Sequence, residues 1–135
     1  MTLFEWNDDY SVGVKKFDRQ HRKIFQIIND LHDAMKEGKS EEKMGVILRR
    51  LENYADKHFN DEEKYMEKYD YSGFENQKKQ HNQYIQKIKG FRKKYNTGEM
   101  TVSMEMMNFL KDWLSNHING MDKKYSEFFE DKDIG

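Results

Sequence analysis

The sequence predicts an all-α protein, an antiparallel up-down-up-down four-helix bundle entered by an irregular N-terminal arm. Three observations carry this reading. Apolar residues recur at helical spacing in four successive stretches, no Pro interrupts the 135 residues, and Gly38, Gly73 and Gly98 fall where the stretches meet. Four helices joined by connections this short have to run antiparallel to their neighbours.

After an arm spanning residues 1–14, Phe17, His21, Ile24, Ile28, Leu31 and Met35 alternate in steps of four and three, a single helical stripe that ends at Gly38. Ser40 is suited to the N-cap of a second helix, with Glu41 and Glu42 in its first turn. That stripe runs Met44, Ile47, Leu51, Tyr54 or Ala55, His58, Glu62 and Tyr65, and breaks at Asp70-Tyr71-Ser72-Gly73. A third reads Phe74, Gln77, His81, Tyr84, Ile88, Phe91 and Tyr95, stopping near Gly98. The fourth, from around Thr101, carries Met106, Leu110, Trp113, His117, Met121 and Tyr125 towards Phe128.

The length predicts one domain over residues 1–135, with a modest core. Hydrophobic and charged residues each make up 36%, which suits helices with a narrow apolar stripe and a wide solvated face. The 24 basic and 25 acidic residues are interleaved, which argues against nucleic acid as a partner. No apolar run is long enough to insert in a membrane, and the start, MTLFEWNDDY, lacks a basic region followed by an apolar one; the expected location is cytoplasmic. The absence of Cys excludes disulfides, thiolate nucleophiles and Cys-based metal sites, so any metal must sit on His and carboxylate.

Polar residues on the inward stripes point to such a site. One inward His is more often a hydrogen-bonded core residue than a ligand. Here four of the five histidines, His21, His58, His81 and His117, lie on the stripes, one per helix, and with about 1.5 Å of rise per residue all four reach a common level of an antiparallel bundle. His32 lies three turns from His21 and belongs to the other end. Glu62, one turn after His58, is a carboxylate on a buried stripe with no Lys or Arg at its level; a cation is the simplest way to keep it ionised. Asp122 follows His117 by five residues, about 140° away on an ideal helix. A local π-type widening at Gly120 would bring it to the His117 side; the alternative is a helix that ends at Gly120 with Asp122 in solvent. Imidazole with carboxylate favours iron, zinc or manganese over calcium or magnesium. Four histidines and two carboxylates exceed one tetrahedral site and suit two metals bridged by the carboxylates.

The pattern Trp6, Tyr10-Ser11-Val12-Gly13-Val14, Asp18-x-Gln20-His21, His58-Phe59-x-x-Glu62-Glu63, His81, Trp113-Leu114 and His117-Ile118-x-x-x-Asp122 resembles the hemerythrins, in their single-domain bacterial form, bacteriohemerythrin. The resemblance covers nearly the whole chain. It implies two non-haem iron ions joined by an oxo or hydroxo group, one held by His21 and His58, the other by His81 and His117, with Glu62 and Asp122 bridging. It also implies dioxygen binding at the iron with fewer protein ligands, in a pocket lined by Ile24, Phe59, Trp113 and Ile118, whose bulk would keep out water and protons. The chain departs from the family at Gln77, where the family places His four residues before His81. A neutral amide oxygen is a poorer donor than imidazole, so Gln77 is a candidate weak ligand or partner of a water, and iron at the His81/His117 position should be held less firmly.

Three functions follow as expectations. The first is a non-enzymatic dioxygen carrier, store or sensor; sensing normally needs an output domain, and the sequence has nothing beyond Gly135 to supply one. The second is enzyme-like consumption of peroxide, dioxygen or nitric oxide, favoured if Gln77 opens a second coordination position. The third is a metal-depleted or metal-free helical interaction module. Glu63 and Glu75 are expected as solvated surface carboxylates.

Overall fold

The computed structural model describes residues 5–98, 102–132 and 134. Its helices are α1 (Lys15–Lys36), α2 (Ser40–Lys68), α3 (Phe74–Asn96) and α4 (Val102–Asp112). α4 continues into a π-helical segment, Trp113–Met121, then a 3-10 turn, Asp122–Tyr125, and the single turn α5 (Ser126–Phe129). α1 packs on α2 and α4, and α3 packs on the other side of α2 and α4, which is the four-helix bundle expected. Residues 1–4 of the arm and Thr101, the expected start of the fourth helix, lie outside the described residues.

The helix ends follow from backbone chemistry. α1 closes in a Schellman motif: Gly38 takes φ +70°, Lys39 N–H donates to Ala34 O at 2.7 Å and Gly38 N–H to Met35 O. Asp70 plays the same part after α2 at φ +55°, with Tyr71 N–H donating to Met66 O at 2.8 Å. Ser40 is the first helical residue rather than the N-cap; the cap is Lys39, with no side-chain capping bond, and Ser40 Oγ instead accepts from Ser103 Oγ on α4. The cap therefore gives way to a contact between helices.

Two apolar clusters fill the bundle. The larger includes Ile24, Ile28, Leu31, Leu51, Phe59, Ile88, Met106, Leu110 and Ile118. The smaller joins Val12, Val14, Phe17, Tyr65, Met66, Tyr125 and Phe129. The arm therefore closes one end of the bundle. It is pinned there by Asp18, whose carboxylate accepts from Ser11 Oγ (2.6 Å) and Val12 N (2.9 Å). Gly13 makes the turn at φ +75°, where a Cβ would also press on Ser126 Oγ at 3.3 Å.

The stripes predict burial with a few shifts. Met35, Phe74 and Tyr95 are half-buried at the bundle ends, and Ala34 takes the buried place beside Met35. In the last helix the π segment advances the inward face, so Met121 and Phe128 are half-buried while Asp122, Tyr125 and Phe129 face in. Among the described residues, no helix is long and apolar enough to cross a membrane.

Candidate metal centre

Between the two clusters lies a polar layer. The buried polar side chains of the described residues are Gln20, His21, His58, Glu62, Gln77, His81, His117 and Asp122, and no Lys or Arg is among them. Helical spacing delivers one inward imidazole per helix, and His58 places Glu62 one turn further along α2. Asp122 arrives by the π segment: its backbone N–H donates to His117 O, an i to i+5 bond that brings its side chain to the His117 side. The widening is larger than expected, nine residues from Trp113 rather than a local bulge. Nor does it depend on the missing side chain of Gly120, where a Cβ would meet nothing nearer than Ser115 O at 3.7 Å.

The distances define two groups of donors. His21, His58, Glu62 and Asp122 each offer one atom within 4.8 Å of the others; Glu62, His81 and His117 form a second such group. His21 Nε2 is 3.1 Å from Asp122 Oδ2, and His117 Nε2 is 3.1 Å from Asp122 Oδ1, so this carboxylate turns one oxygen to each group. Glu62 Oε1 lies 3.2 Å from both His58 Nε2 and His81 Nε2. Its other oxygen accepts from the Tyr125 hydroxyl and sits 3.7 Å from His21 Nε2.

These contacts are not hydrogen bonds. All four Nε2 atoms, Glu62 Oε1 and Asp122 Oδ2 are buried without a hydrogen-bond partner. Each such group costs about 1–3 kcal/mol if left unsatisfied. A shared cation removes the cost, and two donors at about 2.1 Å from one ion and at a right angle lie about 3 Å apart, the spacing seen here. The donor set therefore fits a metal, with nitrogen and oxygen donors of the kind that iron, zinc and manganese accept.

Outer partners orient the rings. The free nitrogens of three imidazoles reach across to neighbouring helices: His58 Nδ1 to Gln20 Oε1 (2.5 Å), His81 Nδ1 to Glu63 Oε2 (2.8 Å) and His117 Nδ1 to Gln80 Oε1 (2.7 Å). Each bond fixes the Nδ1–H tautomer and leaves Nε2 as a donor lone pair facing the centre. Glu63 is thus not the solvated surface carboxylate expected from its exposed spacing; Glu75 is exposed as expected. His21 Nδ1 has no partner. Gln80 carried no sequence signal, and Glu63 stood in the family-like motif without a role assigned to it, because both roles depend on the packing of one helix against another.

Electrostatics divide the layer. Burial opposes charge on His21, but the close carboxylates of Asp122 and Glu62 outweigh it and push the imidazole up to about 9. Burial likewise opposes charge on His81, where Glu62 and Glu63 push it up to about 9. His58 moves the other way, because burial outweighs its carboxylate. Against burial, the surrounding imidazoles hold both Glu62 and Asp122 below the usual carboxylate range. The carboxylates are ionised and the rings compete for protons or for metal.

Gln77 is inward and buried, as expected, but its amide is committed: Nε2 donates to Asp122 Oδ1 at 2.9 Å. A carboxylate only accepts, which sets this orientation and leaves Oε1 buried without a partner. Above the layer three aromatic rings stack on three imidazoles, Tyr54 on His58 (5.1 Å), Phe59 on His81 (4.0 Å) and Trp113 on His117 (3.9 Å). Ile24, Phe59, Trp113 and Ile118 are all buried in the larger cluster beside the layer.

The comparisons agree with this chemistry. The family model described as the hemerythrin HHE cation binding domain matches residues 12–129. The chain is 35% identical over 126 residues to a bacteriohemerythrin of Methylococcus capsulatus, covering 93% of this chain and 95% of that one. It is 34% identical to a bacteriohemerythrin of Pseudomonas aeruginosa, covering 100% and 92%. A myohemerythrin of Theromyzon tessulatum is 30% identical over 90% of each chain. The crystal structure of a wild-type hemerythrin superposes with a TM-score of 0.85 at 32% identity, over 95% of this chain and 98% of the other.

Proposed function

The chain belongs to the hemerythrin family, and from that premise we propose that it holds two non-haem iron ions in the polar layer and binds dioxygen there reversibly, as a carrier, store or sensor rather than an enzyme. One observation carries the reading: six donor atoms on four helices are buried, unpartnered by hydrogen bonds and spaced as ligands of shared ions. His21 and His58 would hold one iron and His81 and His117 the other. Asp122 would bridge them, since it presents one oxygen to each group, with Glu62 as the second bridge. When bound, the iron pair would supply the electrons that dioxygen takes up and returns.

The protein's own part is to orient and exclude. The Gln20, Glu63 and Gln80 bonds fix three rings in the ligating tautomer. The Ile24, Phe59, Trp113 and Ile118 walls keep water and protons from the centre, which favours release of dioxygen unchanged. Iron per chain, measured together with the optical spectrum of the reduced protein before and after air, tests this. The expected result is about two irons and a visible band that appears in air and fades on deoxygenation. A colourless protein with no iron after native purification overturns it.

Gln77 supports a second reading, in which the same centre consumes peroxide, dioxygen or nitric oxide. Its side chain is occupied with Asp122 where the family has an imidazole, which leaves the His81/His117 group one donor short. Steady turnover with a reductant, in place of a stable oxygenated form, would select that reading.

A further inference from the structure

A cavity of about 420 Å³ opens between α1 and α2, outside the polar layer but reaching its edge. Buried Tyr54, His58 and Gln20 are part of its lining. Lys23 on α1 and Arg50 and Lys57 on α2 bring three cations to it, and no carboxylate lines it, although acidic residues slightly outnumber basic ones in the chain. Arg50 spends one nitrogen on Asp30 (2.7 Å) and Lys57 pairs loosely with Asp61 (3.4 Å), which leaves further N–H donors on both. Between the cations stand the amides of Gln26 and Asn53, each able to donate and accept.

We propose that this cavity is a second binding site, which takes a phosphate monoester of a planar heterocycle, a molecule of mononucleotide size. The volume lies in the range of small-molecule sites and far exceeds a bare oxyanion. Arg50 and Lys57, each paired with one rim carboxylate, keep N–H donors for an oxyanion, and with Lys23 they suit a phosphate better than a single carboxylate, the guanidinium by its fork and the lysines as point charges. Arg50 and Lys57 stand two turns apart, about 10 Å, with Asn53 one turn from each, so a phosphate at one end sets a heterocycle edge against the amides. The site also touches the metal layer: Gln20 lines the cavity and accepts from His58 Nδ1, so an occupant adjoins the hydrogen bond that orients one candidate ligand.

Calorimetric titration of the natively purified protein with AMP, with FMN and with inorganic phosphate tests the proposal. At about 0.15 M ionic strength, AMP or FMN should bind saturably, one per chain, with Kd below about 1 mM and more tightly than phosphate. The double variant Arg50→Gln/Lys57→Gln should weaken that binding about tenfold or more with iron content and helicity retained, and Lys111→Gln on α4 should leave it unchanged. Absence of saturable binding by both nucleotides, or equal binding by the double variant, overturns the site; phosphate binding as tightly as the nucleotides overturns the heterocycle. The calorimetry uses no property of iron, so its failure is separate from failure of the function proposed above. A nucleotide-induced shift of the iron absorption, lost in Gln20→Leu, would show coupling through His58.

Discussion

The two halves of the polar layer are built from the same imidazoles and differ in what surrounds them. On the His21/His58 side both imidazoles, Glu62 and Asp122 come within 4.8 Å of one another; on the His81/His117 side that mutual group is His81, His117 and Glu62. The Asp122 oxygen turned to His117 is shared with the Gln77 amide that stands where the family has an imidazole. The outer partners run the other way. His58 leans on the neutral amide of Gln20, whereas His81 has the carboxylate of Glu63. A carboxylate beside Nδ1 makes the ring a stronger donor, so the poorer half in ligands is the richer half in ligand basicity. Coordination number and ring basicity are thus separate means of holding a metal, and this chain trades one against the other.

The largest effect is expected at Glu62, the carboxylate that touches rings of both halves. Glu62→Ala should empty both positions, taking metal from about two per chain towards none, a loss of affinity beyond the ~100-fold typical of an outer partner; full retention by elemental analysis would remove Glu62 from the centre. Removing the compensation alone should be milder and one-sided. Glu63→Gln should weaken metal at the His81/His117 position about 10–100-fold, as followed by chelator competition, with the first equivalent little changed. Supplying the missing imidazole acts in the opposite sense: Gln77→His should raise iron per chain by filling the weaker position. Equal, stoichiometric filling of both positions in the unaltered protein would show that no weaker half exists.

Protons and metal compete for these rings, which predicts opposite pH responses for the metal-free and loaded protein. His21 and His81 stand above their ordinary value of 6.5, at about 9. A raised imidazole contributes stability that is fully present below 6.5 and is lost as pH climbs through about 9. Chelated protein should therefore melt at progressively lower temperature across that window, while metal affinity rises as the same protons leave. A melting temperature of the chelated protein that is flat or rising there would contradict the charge assignment. The smallest effect is expected at Gly120→Ala, which should change stability by no more than about 1 kcal/mol and leave iron content intact, because a Cβ there meets only ordinary contact.

Much of the site was legible because helix periodicity is local. A step of three or four residues decides which side chain faces inward, so His21, His58, Glu62, His81 and His117 could be placed on one layer before any packing was known. Asp122 needed one more inference, that five residues can span a turn, and the i to i+5 bond from Asp122 N–H to His117 O supplies it. The same widening displaced Met121 and Phe128, since the i to i+5 turn brings Asp122 inward in place of Met121 and Phe129 in place of Phe128, while His117 and Tyr125 keep their expected inward places.

The sequence by itself determined the four inward faces, the breaks between them and the kind of donors they carry, since each depends on neighbours within a turn or two. Tertiary structure decided what each donor meets. The Gln20 and Glu63 bonds to ligand-bearing rings, the Gln77 bond to Asp122 and the cationic cavity beside His58 all join residues from different helices. Their existence depends on the rotation and depth at which two helices pack, which is set by the summed burial of many side chains rather than by any local pattern.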